Sequence, residues 1–298
     1  MEIDGKTRLC GLIGNPVEHT LSPVIHNMLA GRGNQNLVYV PFLVREDELG
    51  DAIRGARALN ILGMNVTVPY KSAVIEHLQD IDPLARQIGA VNTLVRLENG
   101  FKGYNTDMEG LYRAMVCEGI RIADQTVILL GAGGAARAVA YLCASKGARK
   151  VYLLNRTLER AREVAGEINQ AMEREVICPM ELSDYGKIPE GKYLAIQGTS
   201  VGLAPREDEA AIEDPAFYEK IHTGFDLIYR PWETKFMRLV KENGGKAYNG
   251  LKMLLYLLCL YSVNNIPKSE ITQKVIIVQS CTGLCRRNEP HCNQHSVR

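Results

Sequence analysis

The sequence carries no excess of charge of either sign: 35 Lys and Arg stand against 34 Asp and Glu in 298 residues, for a formal net charge of +1. Without a broad positive field it has little to hold phosphate backbones or an anionic membrane, and nucleic acid is not expected as a partner. Long apolar runs are missing as well. The longest, Met253 to Val263, is too short to span a bilayer, and Met1-Glu2-Ile3-Asp4 lacks the basic-then-apolar pattern of a signal peptide. A soluble cytoplasmic protein with no membrane partner is the expectation. There is no internal repeat and no low-complexity linker. Ligand-spaced cysteines are also lacking: Cys10, Cys117, Cys143, Cys178 and Cys259 occur singly among apolar residues, the usage of buried thiols in a reducing compartment. Cys281, Cys285 and Cys292 crowd the C-terminus with His291 and His295, but in no common zinc spacing. Residues 281–298, polar and basic, are expected to form a disordered appendage, and no metal is expected.

What the chain does have is enough apolar residues, 46% of the total, for two domains with a core each. Short β-rich runs alternate with amphipathic stretches, the pattern of an α/β fold with mostly parallel sheets. Strands are expected at residues 8–13, 37–44 and 61–68, and a hairpin around Glu98-Asn99-Gly100 within residues 90–105. Helices are expected at 23–31, with Ser22 as N-cap and Pro23 in its first turn, at 46–58, from Lys71 onward, and at 107–119 as a bridge between domains. Beyond it, a strand at 126–130, a helix at 134–146, a strand at 150–154 and a helix at 158–172 make a βαβ unit with its continuation. Strands near Val176, at 193–197 and at 224–229 extend that sheet. Helices at 251–264 and 269–280 are expected to return to the first domain. The division expected is residues 1–107 plus 250–280 in one domain and 108–249 in a doubly wound, Rossmann-type second.

The glycine turn Gly131-Ala132-Gly133-Gly134-Ala135-Ala136-Arg137 follows a predicted strand directly and begins a helix. In that setting it seats a pyrophosphate: Gly131 permits the turn, Gly133 lets backbone approach phosphate, and Ala136 is small enough for helix-on-strand packing. At the end of the next strand an NAD site would place an acid, whereas this chain has Asn155-Arg156-Thr157. A guanidinium and a hydroxyl suit a 2′-phosphate, so the cofactor expected is NADP.

Two motifs ahead of this turn carry the chemistry, Asn65-Val66-Thr67-Val68-Pro69-Tyr70-Lys71 and Gly103-Tyr104-Asn105-Thr106-Asp107. A free lysine titrates at about 10.4, so as a catalytic group it must be shifted or used as the cation. If Lys71 and Asp107 meet across a cleft, the pair can hold an ammonium against a substrate hydroxyl and manage the proton that leaves as hydride departs from the adjoining carbon.

These motifs resemble the shikimate dehydrogenase family, and so do others in the same order. They include Gly14-Asn15-Pro16, His19-Thr20-Leu21-Ser22-Pro23, Gly89-Ala90-Val91-Asn92-Thr93, Thr199-Ser200-Val201-Gly202, Asp226-Leu227-Ile228-Tyr229 and Asn249-Gly250-Leu251-Lys252-Met253-Leu254. The resemblance covers roughly residues 8–265 and implies a substrate domain and an NADP domain with a cleft between them. It implies NADP-linked interconversion of 3-dehydroshikimate and shikimate on the way to chorismate and the aromatic amino acids, by a monomer or homodimer. In the roles it implies, Lys71 and Asp107 are the catalytic pair, Thr67 and Asn92 bind ring hydroxyls, and Thr20, Ser22 and Tyr229 hold the carboxylate. Gly131, Ala132, Gly133, Gly134, Ala135, Asn155, Arg156, Thr157, Thr199, Gly250 and Met253 serve the cofactor. Two positions depart from the pattern. Thr20 stands where serine is common, which keeps the hydroxyl and adds a methyl. Leu257 stands where the family usually has a glutamine bonding a ring hydroxyl, and an unpaired hydroxyl costs on the order of 1–3 kcal/mol. A quinate dehydrogenase, or a relative acting on another ring-hydroxylated acid, is therefore the alternative, and a non-catalytic NADP-binding regulator is the alternative of another class.

Overall fold

The structure is a computed structural model that describes residues 2–260, with side chains through Tyr256. The first half builds a six-stranded sheet from β1 (Arg8–Gly14), β2 (Leu37–Leu43), β3 (Gly63–Val66), β4 (Asp80–Ile81), β5 (Thr93–Arg96) and β6 (Phe101–Tyr104), in the order β2-β1-β3-β5-β6-β4. Helices α1 (Ser22–Arg32) and α2 (Leu49–Ala58) are the crossovers that keep β1, β2 and β3 parallel. The turn at Glu98-Asn99-Gly100 reverses the chain, so β5 runs antiparallel to both β3 and β6 and the sheet is mixed. Sequence periodicity did not disclose the two-residue strand β4 or the short helix α3 (Pro83–Ile88). The latter starts on Asp82, whose carboxylate accepts from the Leu84 and Ala85 N–H groups at 3.0 and 3.4 Å.

From α4 (Asp107–Cys117) the chain enters a second, all-parallel sheet. Its strands are β7 (Thr126–Leu130), β8 (Lys150–Asn155), β9 (Ile177–Glu181), β10 (Tyr193–Gln197), β11 (Ile221–Asp226) and β12 (Lys246–Tyr248), in the order β12-β11-β10-β7-β8-β9. Helices α5 (Gly134–Ser145) and α6 (Leu158–Met172) connect the first three strands, and α7 (Pro215–Tyr218) and α8 (Lys235–Glu242) accompany the rest. The chain lays down β7, β8 and β9 outward, then returns to place β10 on the other side of β7. That reversal opens a crevice at the carboxyl ends of β7 and β10, where doubly wound sheets bind ligands. Finally α9 (Leu251–Leu260) comes back to pack along α4.

One apolar core runs through this second unit and beyond it. Ile88 and Ala90 of the first half, Leu111 and Met115 of α4, Val127 and Leu129 of β7, most of α5, and Met253 of α9 share a single buried cluster. Each such large side chain taken out of water stabilises the fold by about 1.5–3 kcal/mol. At the same seam, Arg137 of α5 is nine-tenths buried and pairs with Glu163 at 2.8 Å and with Glu167, both on α6.

Several local expectations need correction. Lys71 does not open an α-helix: its carbonyl is taken by the Val91 N–H at 2.7 Å, and only a 3-10 turn at Ala73–His77 follows. Ser22 is not an N-cap but the first helical residue of α1, after Leu21, which leaves its hydroxyl free for other work. Cys117 is exposed and Cys178 half-buried, while Cys10 and Cys143 are buried as expected. No helix among the described residues is long and apolar enough to cross a membrane. The side chains of Leu257 and Cys259, the helix expected at 269–280, and the Cys- and His-bearing segment 281–298 lie outside the described residues.

Candidate active site

A cavity of about 1010 Å³ separates the two sheets. On its first wall the strand β3 ends at Val66, and the chain turns through Thr67 so that Lys71 faces across to the start of α4. Asp107 is the first residue of that helix, with its N–H bonded to Asn105 Oδ1 at 3.1 Å and Asn105 Nδ2 tied to the Ala90 carbonyl at 2.9 Å. A carboxylate at this end of a helix is favoured by the axial dipole. Lys71 Nζ donates to Asp107 Oδ2 at 2.7 Å, with the two side chains 13% and 4% exposed, so the ammonium reaches the cavity and the carboxylate stands behind it.

Asn92 holds the other carboxylate oxygen. Its Nδ2 donates to Asp107 Oδ1 at 2.8 Å and to Thr106 Oγ1 at 3.0 Å, and its Oδ1 accepts from the Thr106 N–H at 2.9 Å and Thr93 Oγ1 at 3.0 Å. The amide is therefore engaged within the protein, and a substrate hydroxyl that bonds Asn92 has to share or displace one of these partners. Thr20, Ser22, Thr67 and Tyr229 line the same cavity. Thr20 Oγ1 accepts from the Ser22 N–H at 3.2 Å, which fixes the threonine hydroxyl at the start of α1. Tyr229 follows shortly after Asp226, the last residue of β11. That carboxyl accepts from the Ile228 N–H at 2.9 Å and from Thr234 Oγ1 at 2.6 Å, and complete burial pushes it up to about 7.

The opposite wall is the glycine turn. Gly131 sits at φ +103°, a conformation open to glycine, and carries the chain off β7 beside Gly198 and Thr199. Thr199 is held by Gln197, whose Oε1 accepts from the Thr199 N–H at 2.6 Å. Nothing lies within 4 Å of where a Cβ on Gly133 would stand, so the backbone there is open to a ligand. Gly134 begins α5 directly against the other wall: a Cβ at this position would come 2.7 Å from the Lys71 Cβ. These features fit a dinucleotide, whose pyrophosphate the N–H groups of α5 would hold.

Ala132, Ala135, Asn155, Arg156, Gly250 and Met253 also line the cavity. Thr157 does not. It is exposed, and its carbonyl accepts from Asn155 Nδ2 at 2.8 Å, bracing the turn that presents Arg156. Sequence reading gave no role to several of the lining residues, among them His26, Asn65 and Arg160. Arg160 was legible in principle, since it stands four residues after Arg156, in the first turn of α6, and a second cation so near in sequence suits a phosphate. Among the described residues no group of His, Cys, Asp and Glu side chains is placed to hold a metal.

Comparison with known proteins identifies the family. The family described as the shikimate dehydrogenase substrate binding domain matches residues 12–94, and that described as shikimate / quinate 5-dehydrogenase matches residues 115–185. The shikimate dehydrogenase (NADP(+)) of Moorella thermoacetica is 40% identical over 257 residues, 86% of this chain and 87% of the relative. Among solved structures, shikimate 5-dehydrogenase from Thermus thermophilus in complex with NADP(H) and shikimate superposes with a TM-score of 0.71 at 31% identity, covering 85% of this chain and 91% of that one. Quinate dehydrogenase from Corynebacterium glutamicum in complex with NAD superposes with a TM-score of 0.73 at 28% identity, covering 84% and 90%. With identity of this level spread over both sheets and the cleft between them, the chain belongs to the shikimate dehydrogenase family.

Proposed function

We propose that this protein is an NADP-dependent oxidoreductase of the cytoplasm that interconverts 3-dehydroshikimate and shikimate, with Lys71 and Asp107 as its catalytic pair. The observation that carries the reading is the 2.7 Å contact of Lys71 Nζ with Asp107 Oδ2 in a cleft whose other wall, at Gly134, touches Lys71. NADP, when bound, supplies or accepts the hydride. Lys71 Nζ gives a proton to the ketone oxygen during reduction and takes it back from the hydroxyl during oxidation. Asp107 keeps the ammonium aimed, and Asn92 keeps Asp107 aimed through its second oxygen. Thr20, Ser22 and Tyr229 receive the carboxylate, and Thr67 and Asn92 the ring hydroxyls. Arg156, exposed at the cavity's edge, recognises the 2′-phosphate.

A second reading, activity on quinate, is favoured by Leu257, which offers no hydrogen bond where a glutamine would meet a ring hydroxyl. A purely binding role is disfavoured by the paired lysine and carboxylate. Steady-state assays of shikimate and quinate with NADP and with NAD separate these readings. The highest kcat/KM is expected for shikimate with NADP. A higher value for quinate moves the assignment to the second reading, and no turnover of either acid removes it.

A further inference from the structure

His26 lies on α1 one helical turn beyond Ser22, so the two side chains share a face and both line the cleft. It is 4% exposed, and burial pushes its imidazole down to about 4, which leaves the ring neutral near neutral pH. Neither Nδ1 nor Nε2 has a hydrogen-bond partner among the described residues. Buried polar atoms are nearly always paired, because leaving them unpaired is costly, and here no protein group uses the polarity of the ring. What it offers is its face. The ring stacks on Tyr39 with centroids 4.1 Å apart and planes 15° apart.

Tyr39 passes this contact on. Its hydroxyl donates to Asn65 Oδ1 at 2.7 Å and shares a hydrogen bond with the Ser22 side chain. Asn65 Nδ2 reaches Thr93 Oγ1 at 3.3 Å, and Thr93 Oγ1 donates to Asn92 Oδ1 at 3.0 Å. A continuous set of contacts thus runs from the His26 ring, beneath the substrate end of the cleft, to the amide that holds Asp107.

We propose that His26 is a positioning residue acting through the face of its ring, which sets the Tyr39 hydroxyl where it orients Ser22 and Asn65 toward a bound cyclic acid. The inference rests on the proposed function, which supplies that acid. Its sharpest consequence is that the ring nitrogens are dispensable and the flat ring is not.

The test compares His26→Phe, His26→Ala, Tyr39→Phe and the His26→Ala/Tyr39→Phe double variant with wild type, by steady-state kinetics and thermal melting. His26→Phe keeps the stack, so KM for shikimate stays within about twofold of wild type, and Tm rises because two unpaired polar atoms leave the core. His26→Ala raises that KM about tenfold while kcat and KM for NADP stay within about twofold. Tyr39→Phe gives a similar rise in KM, and the double variant is no worse than Tyr39→Phe alone, since both changes cut one route. Should His26→Ala fail to fold, His26→Leu takes its place, filling the volume without a flat face.

A His26→Phe variant with the KM defect of His26→Ala overturns the proposal, because the nitrogens then matter. So does a His26→Ala variant with unchanged KM, or one that lowers kcat and raises both KM values alike, the mark of a structural role only. Wild-type protein inert toward both shikimate and quinate is a different failure. It removes the proposed function, and this inference with it.

Discussion

Gly134 and Lys71 touch across the cleft, with a Cβ at position 134 reaching to 2.7 Å of the Lys71 Cβ. The first residue of α5 is thereby in contact with the residue that would move the proton, and a methyl at position 134 would force the two walls apart. Gly134→Ala is expected to push Lys71 away from Asp107 and the cofactor. Displacements of about 1 Å cost on the order of 100-fold in rate, so kcat should fall by about 10- to 100-fold with little change in melting temperature. An unchanged kcat would mean that the walls simply part and the contact is without consequence.

In the proposed function, Arg156 selects NADP over NAD by pairing with the 2′-phosphate. Arg156→Asp replaces a partner of the 2′-phosphate with an acceptor for ribose hydroxyls, and should lower kcat/KM for NADP at least about tenfold while raising it for NAD. Arg160, in the first turn of α6 and also lining the cavity, leaves some NADP affinity behind. A ratio of the two efficiencies equal to wild type counts against Arg156 as the phosphate partner.

Asp226 makes stability depend on pH in a defined direction. Its carboxyl is pushed up from the ordinary value of 3.8 to about 7 by burial, so the folded state binds a proton that the unfolded chain releases near pH 4. The stabilising contribution is complete below about pH 4, falls as pH rises toward about 7, and is flat above. Asp226→Asn keeps an acceptor for the Ile228 N–H and a donor for Thr234 Oγ1, and should flatten this part of the profile with the fold retained. Melting temperatures between pH 4 and pH 8 check it. A variant with the slope of wild type assigns the pH dependence to another group.

The second sheet was readable from the chain because its signals are local. An apolar strand, a glycine turn and a helix follow one another within Thr126–Ser145, and the structure places all three as read. The hairpin at Glu98-Asn99-Gly100 was readable for the same reason. Lys71 and Asp107 are 36 positions apart in the chain. Residue type and motif made them candidates, but only the packing of β3, β5 and β6 beneath them brings the two side chains together. Local rules failed where a distant backbone group intervened: the Val91 N–H takes the Lys71 carbonyl, so no helix begins there. His26 gave no signal, since an unpaired imidazole can be recognised only when every neighbour is in place.

In the proposed function Lys71, held by Asp107, moves the proton that accompanies hydride transfer. The direct measurement is the single-turnover rate of shikimate oxidation in wild type and Lys71→Ala at saturating NADP, with binding of shikimate and melting temperature recorded for both. General acid–base groups contribute about 10²- to 10⁴-fold, so a loss in that range is predicted, with the acid still bound and the fold intact. A Lys71→Ala variant that turns over at the wild-type rate removes Lys71 from proton transfer.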